Sequence, residues 1–414
     1  MGLRSVSARP RRALVVVAVL ALVGVGLAAW QFAWDRANGR QPAAQVAAQL
    51  QALGYVTEVT DEIDPSRRGV LLHDASRASP GINVYCSVQS DQVHFLDMDG
   101  RELHTITLPD AGEGKDCMLE PYGERSFLAL AWPTLSLLDW DSRVAWTSRE
   151  GQHHDVAVDR DGRIWTLLQL EATVQARGRT LPIGGHDLVR LGSDGEVEWR
   201  LSLSELFADA VPEDRLSHMQ EVLERSGPRS PAYTEASDVF HFNTVEVLDR
   251  DLAVARQGDV LLCARELDLV VIVNPETRAV VWGWGPGTLD RPHHPSVLPN
   301  GNLLIFDNGR QRGWSRLLEL EPATGTIVWT YRGDPPPSFS SPVRGSTQAL
   351  PNGNLLVTES TRGRVFEVTR DGSIVWTFLN PEFQQDSRRQ IYRMQRVSLA
   401  RYAAWAGAAA GLSR

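Results

Sequence analysis

Residues 324–329 read Thr-Gly-Thr-Ile-Val-Trp, and 47 residues later residues 371–376 read Asp-Gly-Ser-Ile-Val-Trp. Each stretch is a turn of small or polar residues followed by a strand-like run that ends in Trp. The phrase occurs six times, with Trp at the end of five copies, over residues 97–106, 141–146, 194–199, 276–282, 324–329 and 371–376. A repeat of about 40–50 residues made of turns and strands is typical of β-propellers. The sequence therefore predicts an all-β fold, a six-bladed β-propeller.

The repeat also sets the expected domain boundaries. Strand-like sequence extends over residues 69–381, which we predict to be the propeller. The interval from Trp199 to Trp282 is 83 residues, well above the 47 of the later copies. Residues 201–237 within it carry apolar residues at helical spacing and predict a small helical insertion. Because the blades of a propeller meet around its axis, we expect a functional site there.

The charge distribution argues against nucleic acid as a partner. The net charge is -9, yet residues 1–40 carry six Arg and one Asp, and residues 381–414 carry six Arg and two acidic residues. The body of the chain is therefore strongly acidic. Phosphate binding needs a basic face, so we predict no nucleic-acid partner. An anionic substrate would have to be held by local cations against this overall field.

The N-terminus predicts a membrane anchor. Residues 13–30 are 18 uncharged, largely apolar residues preceded by four Arg, and with residues 31–34 they can cross a hydrocarbon layer of about 30 Å. We predict a cytoplasmic basic flank (1–12), a transmembrane anchor (13–34) and a stalk (35–68), with the propeller in the periplasm or outside the cell. The alternative is a cleavable signal peptide with a cleavage site near residues 26–28.

The cysteines and the C-terminus give two smaller predictions. Of three cysteines, Cys86 and Cys117 are the most plausible disulfide pair in an oxidising compartment, which leaves Cys263 buried in a strand. Residues 382–414 mix Arg with aromatic residues and predict a basic helical tail. Such a tail would dock on the acidic body or lie on anionic lipid.

The turn glycines place three histidines in register. His154 lies eight residues before Gly162, and His293 lies eight residues before Gly301. His241 starts a strand of the same form, with Asn243 on the same face because side chains two apart share a face. Three imidazoles and a carboxamide from different blades would then line one axial pocket. Three histidines could also bind zinc, but the sequence offers no clear fourth ligand, so no metal is predicted.

Several phrases, in order along residues 70–395, resemble the bacterial arylsulfate sulfotransferases. They are residues 241–245 (HFNTV), 260–265 (VLLCAR), 298–309 (LPNGNLLIFDNG), 315–316 (SR), 345–354 (GSTQALPNGN) and 366–368 (FEV). Members of this family are exported six-bladed propellers. They move a sulfuryl group from an aryl sulfate to a phenol without a nucleotide donor. The resemblance thus implies small-molecule aryl sulfates and phenols as partners and no cofactor.

The resemblance also implies roles by position. The nucleophile of the family precedes the Leu-Pro-Asn-Gly strand, which is His293 by register or His294 by adjacency. His154, His241 and Arg265 match catalytic positions, and Asn243 and His294 would bind substrate. A neutral imidazole can carry the sulfuryl group as a sulfohistidine in a ping-pong reaction. Arg, His and Asn donors can stabilise the charge that spreads over the sulfuryl oxygens.

Two other interpretations remain open at this point. The chain could be a non-catalytic, membrane-anchored propeller that acts as a binding or assembly scaffold, since one fold serves many functions. It could also be a quinone-cofactor dehydrogenase, in which Trp-ending repeats occur as well. That class would require acidic metal ligands and eight blades.

Overall fold

The computed structural model of the chain describes Asp64, residues 66–109 and residues 116–407. Within that part of the chain, no helix is long and apolar enough to cross a membrane. The predicted anchor at residues 13–34 and most of the predicted stalk lie outside the described residues.

The strands form a ring of antiparallel sheets, as the repeat predicted. In chain order they are β1 (Gly69–His73); β2 (Ile82–Ser87), β3 (Gln92–Leu96) and β4 (Glu102–Thr107); β5 (Cys117–Tyr122), β6 (Ser126–Ala131), β7 (Thr134–Asp139) and β8 (Val144–Ser148); β9 (Gln152–Val158), β10 (Ile164–Ala176), β11 (Arg179–Leu191) and β12 (Val197–Ser202); β13 (Phe242–Val247), β14 (Val260–Ala264), β15 (Leu269–Asn274) and β16 (Ala279–Trp284); β17 (His293–Val297), β18 (Leu303–Asp307), β19 (Arg316–Glu321) and β20 (Thr326–Arg332); β21 (Ser346–Ala349), β22 (Leu355–Glu359), β23 (Arg364–Val368) and β24 (Ile374–Leu379); β25 (Phe383–Gln384), β26 (Ser387–Arg388) and β27 (Ile391–Val397).

Six sheets of this set are the blades of a propeller. Blade 1 has the strand order β27-β2-β3-β4, blades 2 to 5 each take four consecutive strands from β5 to β20, and blade 6 consists of β21 to β24 with β1 added at its outer edge. The first strand of each blade, or β27 in blade 1, lies nearest the axis and contacts its counterparts in the neighbouring blades. Residues that begin these inner strands are therefore brought together from distant parts of the sequence.

Four α-helices accompany the described strands. They are α1 (Leu203–Leu206), α2 (Glu213–Ser226), α3 (Pro231–Ser237) and α4 (Leu399–Trp405). The first three lie between β12 and β13, which confirms the helical insertion predicted over 201–237. Helix α2 buries Leu216, Met219 and Val222 in the apolar core that blades 3 and 4 share with the long β10–β11 hairpin. This insertion therefore fixes the chain directly before β13.

The predicted basic helical tail is wrong for most of the described residues from 382 to 407. Strand β27 pairs antiparallel with β2 and closes the ring, so the propeller extends beyond residue 381, and only α4 is helical. The two arginines of β27 misled the prediction because their side chains do not face solvent. Arg393 donates to the buried carboxylate of Asp155 at 3.0 Å, and Arg396 pairs with buried Glu367. Each cation in the strand thus has an anionic partner inside the propeller.

The recurring Trp residues connect neighbouring blades. The ring N–H groups of Trp146, Trp282, Trp329 and Trp376 donate to the backbone carbonyl oxygens of Ser193, Pro322, Arg370 and Met98, respectively, at 2.8, 3.0, 3.0 and 2.8 Å. Each acceptor lies in the last turn of the adjacent blade. Blade 1 uses His104 instead, whose Nε2 donates to the carbonyl oxygen of Trp140 at 2.9 Å. His104, rather than the predicted Ile106, is therefore the counterpart of the Trp residues.

The predicted disulfide is present. Cys86 in β2 is bonded to Cys117 in β5, with their Cα atoms 6.1 Å apart, so the bridge joins blades 1 and 2. Cys263 is a free thiol buried in β14, as expected.

Candidate active site

The inner strands of three adjacent blades begin with an irregular backbone. His154, His241 and His294 have positive φ angles of 60°, 46° and 44°, a conformation that is uncommon for non-glycine residues. In β9 the pairing skips from Val156 to His153, so two residues bulge out of the ladder. The bulge brings the rings of His153 and His154 together, with centroids 3.8 Å apart.

His154 and His241 form a direct imidazole pair across two blades. Their Nε2 atoms are 2.6 Å apart, so one proton lies between them. Nδ1 of His241 donates to the carboxylate of Asp238, whose other oxygen lies 3.5 Å from Nε2 of His186. Asp238 therefore sets the His241 tautomer and stabilises positive charge on the pair.

The far side of His154 is held by the closing strand. The hydroxyl of Tyr392 in β27 donates to the backbone carbonyl oxygen of His154 at 2.6 Å and lies 3.3 Å from its Nδ1. A carboxylate oxygen of Asp116 lies 3.9 Å from the same nitrogen. The imidazole pair is thus flanked by a carboxylate at each end.

His293 is fixed in one tautomer by Asn308. The amide nitrogen of Asn308 donates to the carbonyl oxygens of Ser341 and Arg344, so its Oδ1 must face His293. That oxygen lies 2.8 Å from Nδ1 of His293, which must carry the proton in order to donate. The lone pair of the neutral ring is consequently on Nε2.

His294 has the opposite arrangement. Its backbone N–H donates to the hydroxyl of Thr244 at 3.1 Å, and its Nδ1 accepts the backbone N–H of Thr347 at 3.5 Å. The ring proton is then on Nε2, which makes that atom a donor. His293, His294 and Asn243 lie with Tyr392 around one narrow cavity of about 10 Å³, which has room for about one water molecule.

Arginines supply local positive charge beside the histidines. Arg265 binds Glu266 at 2.9 Å and lies 3.9 Å from Asp238. Arg215 donates to the same Glu266 at 2.6 Å, and Arg291 also pairs with it. One carboxylate therefore faces three guanidinium groups. Burial, together with the charges of Arg215 and Arg265, lowers the pKa of Arg291 to about 9, as expected where cations are in excess.

The clustered imidazoles are neutral at neutral pH. Burial lowers the pKa of His154 and His293 well below the usual value, and the positive charge of Arg265 adds to both shifts. Burial and Arg265 lower the pKa of His241 to about 4, although Asp238 opposes the shift. His293 also interacts electrostatically with His154 and His241, so it belongs to the same cluster.

Comparison with known proteins identifies the family. The family model described as Arylsulfotransferase (ASST) matches residues 131–381, more than half of the chain. The chain belongs to the arylsulfotransferase family. No curated protein sequence matches it.

Several solved structures are similar to this chain. A protein of unknown function from Bacteroides caccae is 12% identical with a TM-score of 0.53, over 76% of this chain and 98% of that chain. Streptogramin B lyase is 11% identical with a TM-score of 0.45, over 80% and 93%. Virginiamycin B lyase from Staphylococcus aureus is 11% identical with a TM-score of 0.42, over 75% and 87%. The first of these supports the propeller fold, and none bears on the reaction.

The structure brings all the predicted site residues to one region. His154 and His241 are in contact, Arg265 is beside their Asp238, and the remaining three residues, His293, Asn243 and His294, line the adjacent cavity. Sequence reasoning missed His153, His186, Asp238, Asn308 and Tyr392. Asn308 is in the quoted FDNG phrase and Asp238 lies three residues before His241, so both had a local signal. His186, in the middle of the β10–β11 hairpin, had none.

The alignment on turn glycines is off by one residue. Leu167 and Phe306 occupy equivalent positions in the second strands, and their partners are His153 and His293. The bulge in β9 has two extra residues, but the bulge in β17 has one. Counting from the glycine therefore equated His154 with His293, although the backbone makes His154 the counterpart of His294. The Asn308 contact, not the register, distinguishes His293.

Proposed function

We propose that this chain transfers a sulfuryl group from an aryl sulfate to a phenol, without a nucleotide, through a covalent intermediate on His293. The observation that carries the proposal is the contact between Nδ1 of His293 and Asn308 at 2.8 Å. It places the lone pair of a neutral imidazole on Nε2, and His293 lines the cavity. A nucleophile needs this protonation state, and an orienting partner on the other nitrogen is a recurrent way to hold it.

In the first half-reaction, Nε2 of His293 attacks the sulfur of the aryl sulfate. A nitrogen–sulfur bond forms as the bond from sulfur to the aryl oxygen breaks. The departing phenolate takes a proton from the His154–His241 pair, whose extra positive charge Asp238 stabilises. The negative charge of the bound sulfate ester raises the pKa of these imidazoles and favours that extra proton before the reaction.

In the second half-reaction, the acceptor phenol gives its proton to the same imidazole pair. The phenol oxygen then attacks sulfur, the nitrogen–sulfur bond breaks, and His293 returns with its lone pair. Throughout, Arg265, the Nε2–H of His294 and the amide of Asn243 are the donors for the sulfuryl oxygens. The guanidinium groups around Glu266 favour an anion here despite the acidic body of the protein.

We further propose that the propeller works outside the cytoplasm, anchored by residues 13–34. The Cys86–Cys117 disulfide supports an oxidising compartment, because such bonds are rare in the cytosol. Labelling of the propeller by a membrane-impermeant reagent in intact cells tests this location.

The direct test of function uses the purified full-length chain and 4-nitrophenyl sulfate, with and without phenol. We expect nitrophenolate release that depends on phenol, together with formation of phenyl sulfate. If a broad panel of aryl sulfates and phenols gave no release, the transferase proposal would be wrong and a scaffold role would be favoured. Release that needed only water would indicate a sulfatase instead.

A further inference from the structure

We propose that His153, His154 and His241 bind a Zn²⁺ ion, and that this metal-bound form cannot transfer sulfuryl groups. One ring nitrogen from each of the three histidines lies within 4.8 Å of the other two, and all three side chains are buried. Imidazole nitrogen is a preferred ligand of Zn²⁺, and three histidines with an open fourth position are a known zinc-binding set. In this set His153 takes the place of His293, one of the three histidines that the turn glycines placed in register.

The unsatisfied nitrogen of His153 is an independent observation. Its Nδ1 is buried and has no hydrogen-bond partner among the described residues, and the residue is only 5% exposed. A buried polar atom without a partner is costly, so it usually has a ligand or water that satisfies it. The His153 ring packs against those of His154 and His241, with centroids at 3.8 and 5.5 Å. It therefore lies beside the other two proposed ligands.

The surroundings match those of a bound metal ion. Histidine ligands usually donate their second nitrogen to a carboxylate, which orients the ring. His241 makes this contact with Asp238. His154 has Asp116 at 3.9 Å and the hydroxyl oxygen of Tyr392 at 3.3 Å from its Nδ1. A shift of the His154 proton from Nε2 to Nδ1 would free Nε2 for the metal without loss of a proton from the protein.

Binding requires a small opening of the imidazole pair. The Nε2 atoms of His154 and His241 are 2.6 Å apart, which suits a shared proton. Two nitrogens on one tetrahedral zinc, each at about 2.0–2.1 Å from the ion, are separated by roughly 3.3 Å. The rings must therefore move apart by less than 1 Å. Proton sharing and metal binding then exclude one another at this pair.

Zinc inhibits transfer if the His154–His241 pair has the acid–base role proposed above. Only the inhibition, and not the binding of zinc, rests on that proposed function. Binding of Zn²⁺ itself does not depend on turnover. The two ideas can therefore fail separately: zinc binding without any transfer would remove the proposed function alone, and transfer without a zinc site would remove the present inference alone.

The first test is direct location of the ion in the wild-type protein. Metal-free full-length chain is titrated with Zn²⁺ by calorimetry, and crystals soaked in Zn²⁺ are measured at the zinc absorption edge. We expect one tight site per chain and an anomalous peak between His153, His154 and His241. Zinc found only at surface histidines, or no tight binding, would overturn the inference.

The second test compares two single variants. His153→Ala should weaken Zn²⁺ binding by at least about tenfold, since it removes a ligand. His218→Ala, which removes an exposed histidine of α2, should leave the affinity unchanged. The Tm of each metal-free variant is measured to confirm that it folds. Added Zn²⁺ should raise the Tm of the wild type and of His218→Ala more than that of His153→Ala. Equal affinity in all three proteins would contradict the assignment.

Discussion

The outer and inner strands of this propeller follow different rules. On the outer strands, the Trp ring N–H of four blades donates to the last turn of the neighbouring blade, and His104 does the same in blade 1. On the inner strands, His154, His241 and His294 interrupt the regular ladder with left-handed residues. Regular repetition thus serves the architecture, and the departures from it mark the site.

The energetic demands of the two regions explain the difference. An outer Trp needs only one acceptor, which a neighbouring turn offers, so the same residue works in four of the six blades. On the inner strands His154 and His241 meet at hydrogen-bonding distance, and a bulge interrupts the ladder in each of the three strands. Left-handed backbone at a non-glycine residue costs about 1–3 kcal/mol, which the surrounding packing has to offset.

The largest expected effect is the loss of transfer activity when the inner His293 is removed. The outer His104 provides the matched comparison. His293→Ala should lower kcat/KM for 4-nitrophenyl sulfate with phenol by at least about 10³-fold, or about 4 kcal/mol, because the nucleophile is lost. His104→Ala, on the outer ring, should keep its transfer activity and lose some stability. The measurement is steady-state kinetics combined with thermal unfolding. Equal losses of activity in both variants would erase the distinction between the regions.

The neighbouring histidine provides a sharper comparison within the site. His294→Ala should raise KM more than it lowers kcat, since its Nε2–H is assigned to holding the sulfuryl group. If His294→Ala abolished transfer while His293→Ala retained it, the assignment of the nucleophile would have to be exchanged.

A smaller effect, with a signature in pH, is expected at Arg265. Its charge helps to hold the pKa of His293 well below the usual value, so the neutral nucleophile persists to low pH. In the wild type, kcat/KM should therefore rise with pH through a pKa below about 6.5, the ordinary histidine value. Arg265→Gln should lower kcat/KM by about 10²-fold and move this acid limb upward, because the neighbouring cation no longer disfavours the imidazolium. If the acid limb of the kcat/KM profile stayed in place in Arg265→Gln, Arg265 would not be acting on His293.

The smallest effect is expected at the outer Trp residues. Trp329→Phe removes one ring N–H bond and should lower the free energy of unfolding by about 0.5–1.5 kcal/mol. Trp376→Phe should cost more, because the side chain is only 1% exposed and the change leaves a cavity in the core beside the bond between blades 6 and 1. Both variants should retain kcat/KM. A loss of activity without a loss of stability would show that the outer ring acts on the site.

The repeat was sufficient for the architecture because turns and Trp residues are local signals. It predicted six blades, the insertion before β13 and the axial position of the site. Strand β27 escaped prediction, since its arginines looked solvated until Asp155 and Glu367 were placed opposite them. Arg393 in the closing strand pairs with Asp155, which lies 238 residues earlier in the chain. No local sequence pattern carries that information.

The site was predicted in its residue types more fully than in its geometry. Histidines and Arg265 could be named, but the bulges could not, because the number of extra residues in β9 and β17 depends on the packing of adjacent blades. The consequence was the offset between His153 and His154, a backbone detail that a count from the turn glycine does not resolve. The omission of Asp238 has a different cause, because its position three residues before His241 was visible in the sequence.

The most direct test of the central claim is the capture of the intermediate. The wild-type chain is mixed with 4-nitrophenyl sulfate without an acceptor, quenched in alkali and analysed by peptide mass spectrometry. We expect one SO₃ group on His293, which disappears when phenol is added and reappears as phenyl sulfate. An adduct on another residue, or phenol-dependent turnover with no adduct on the protein, would contradict it.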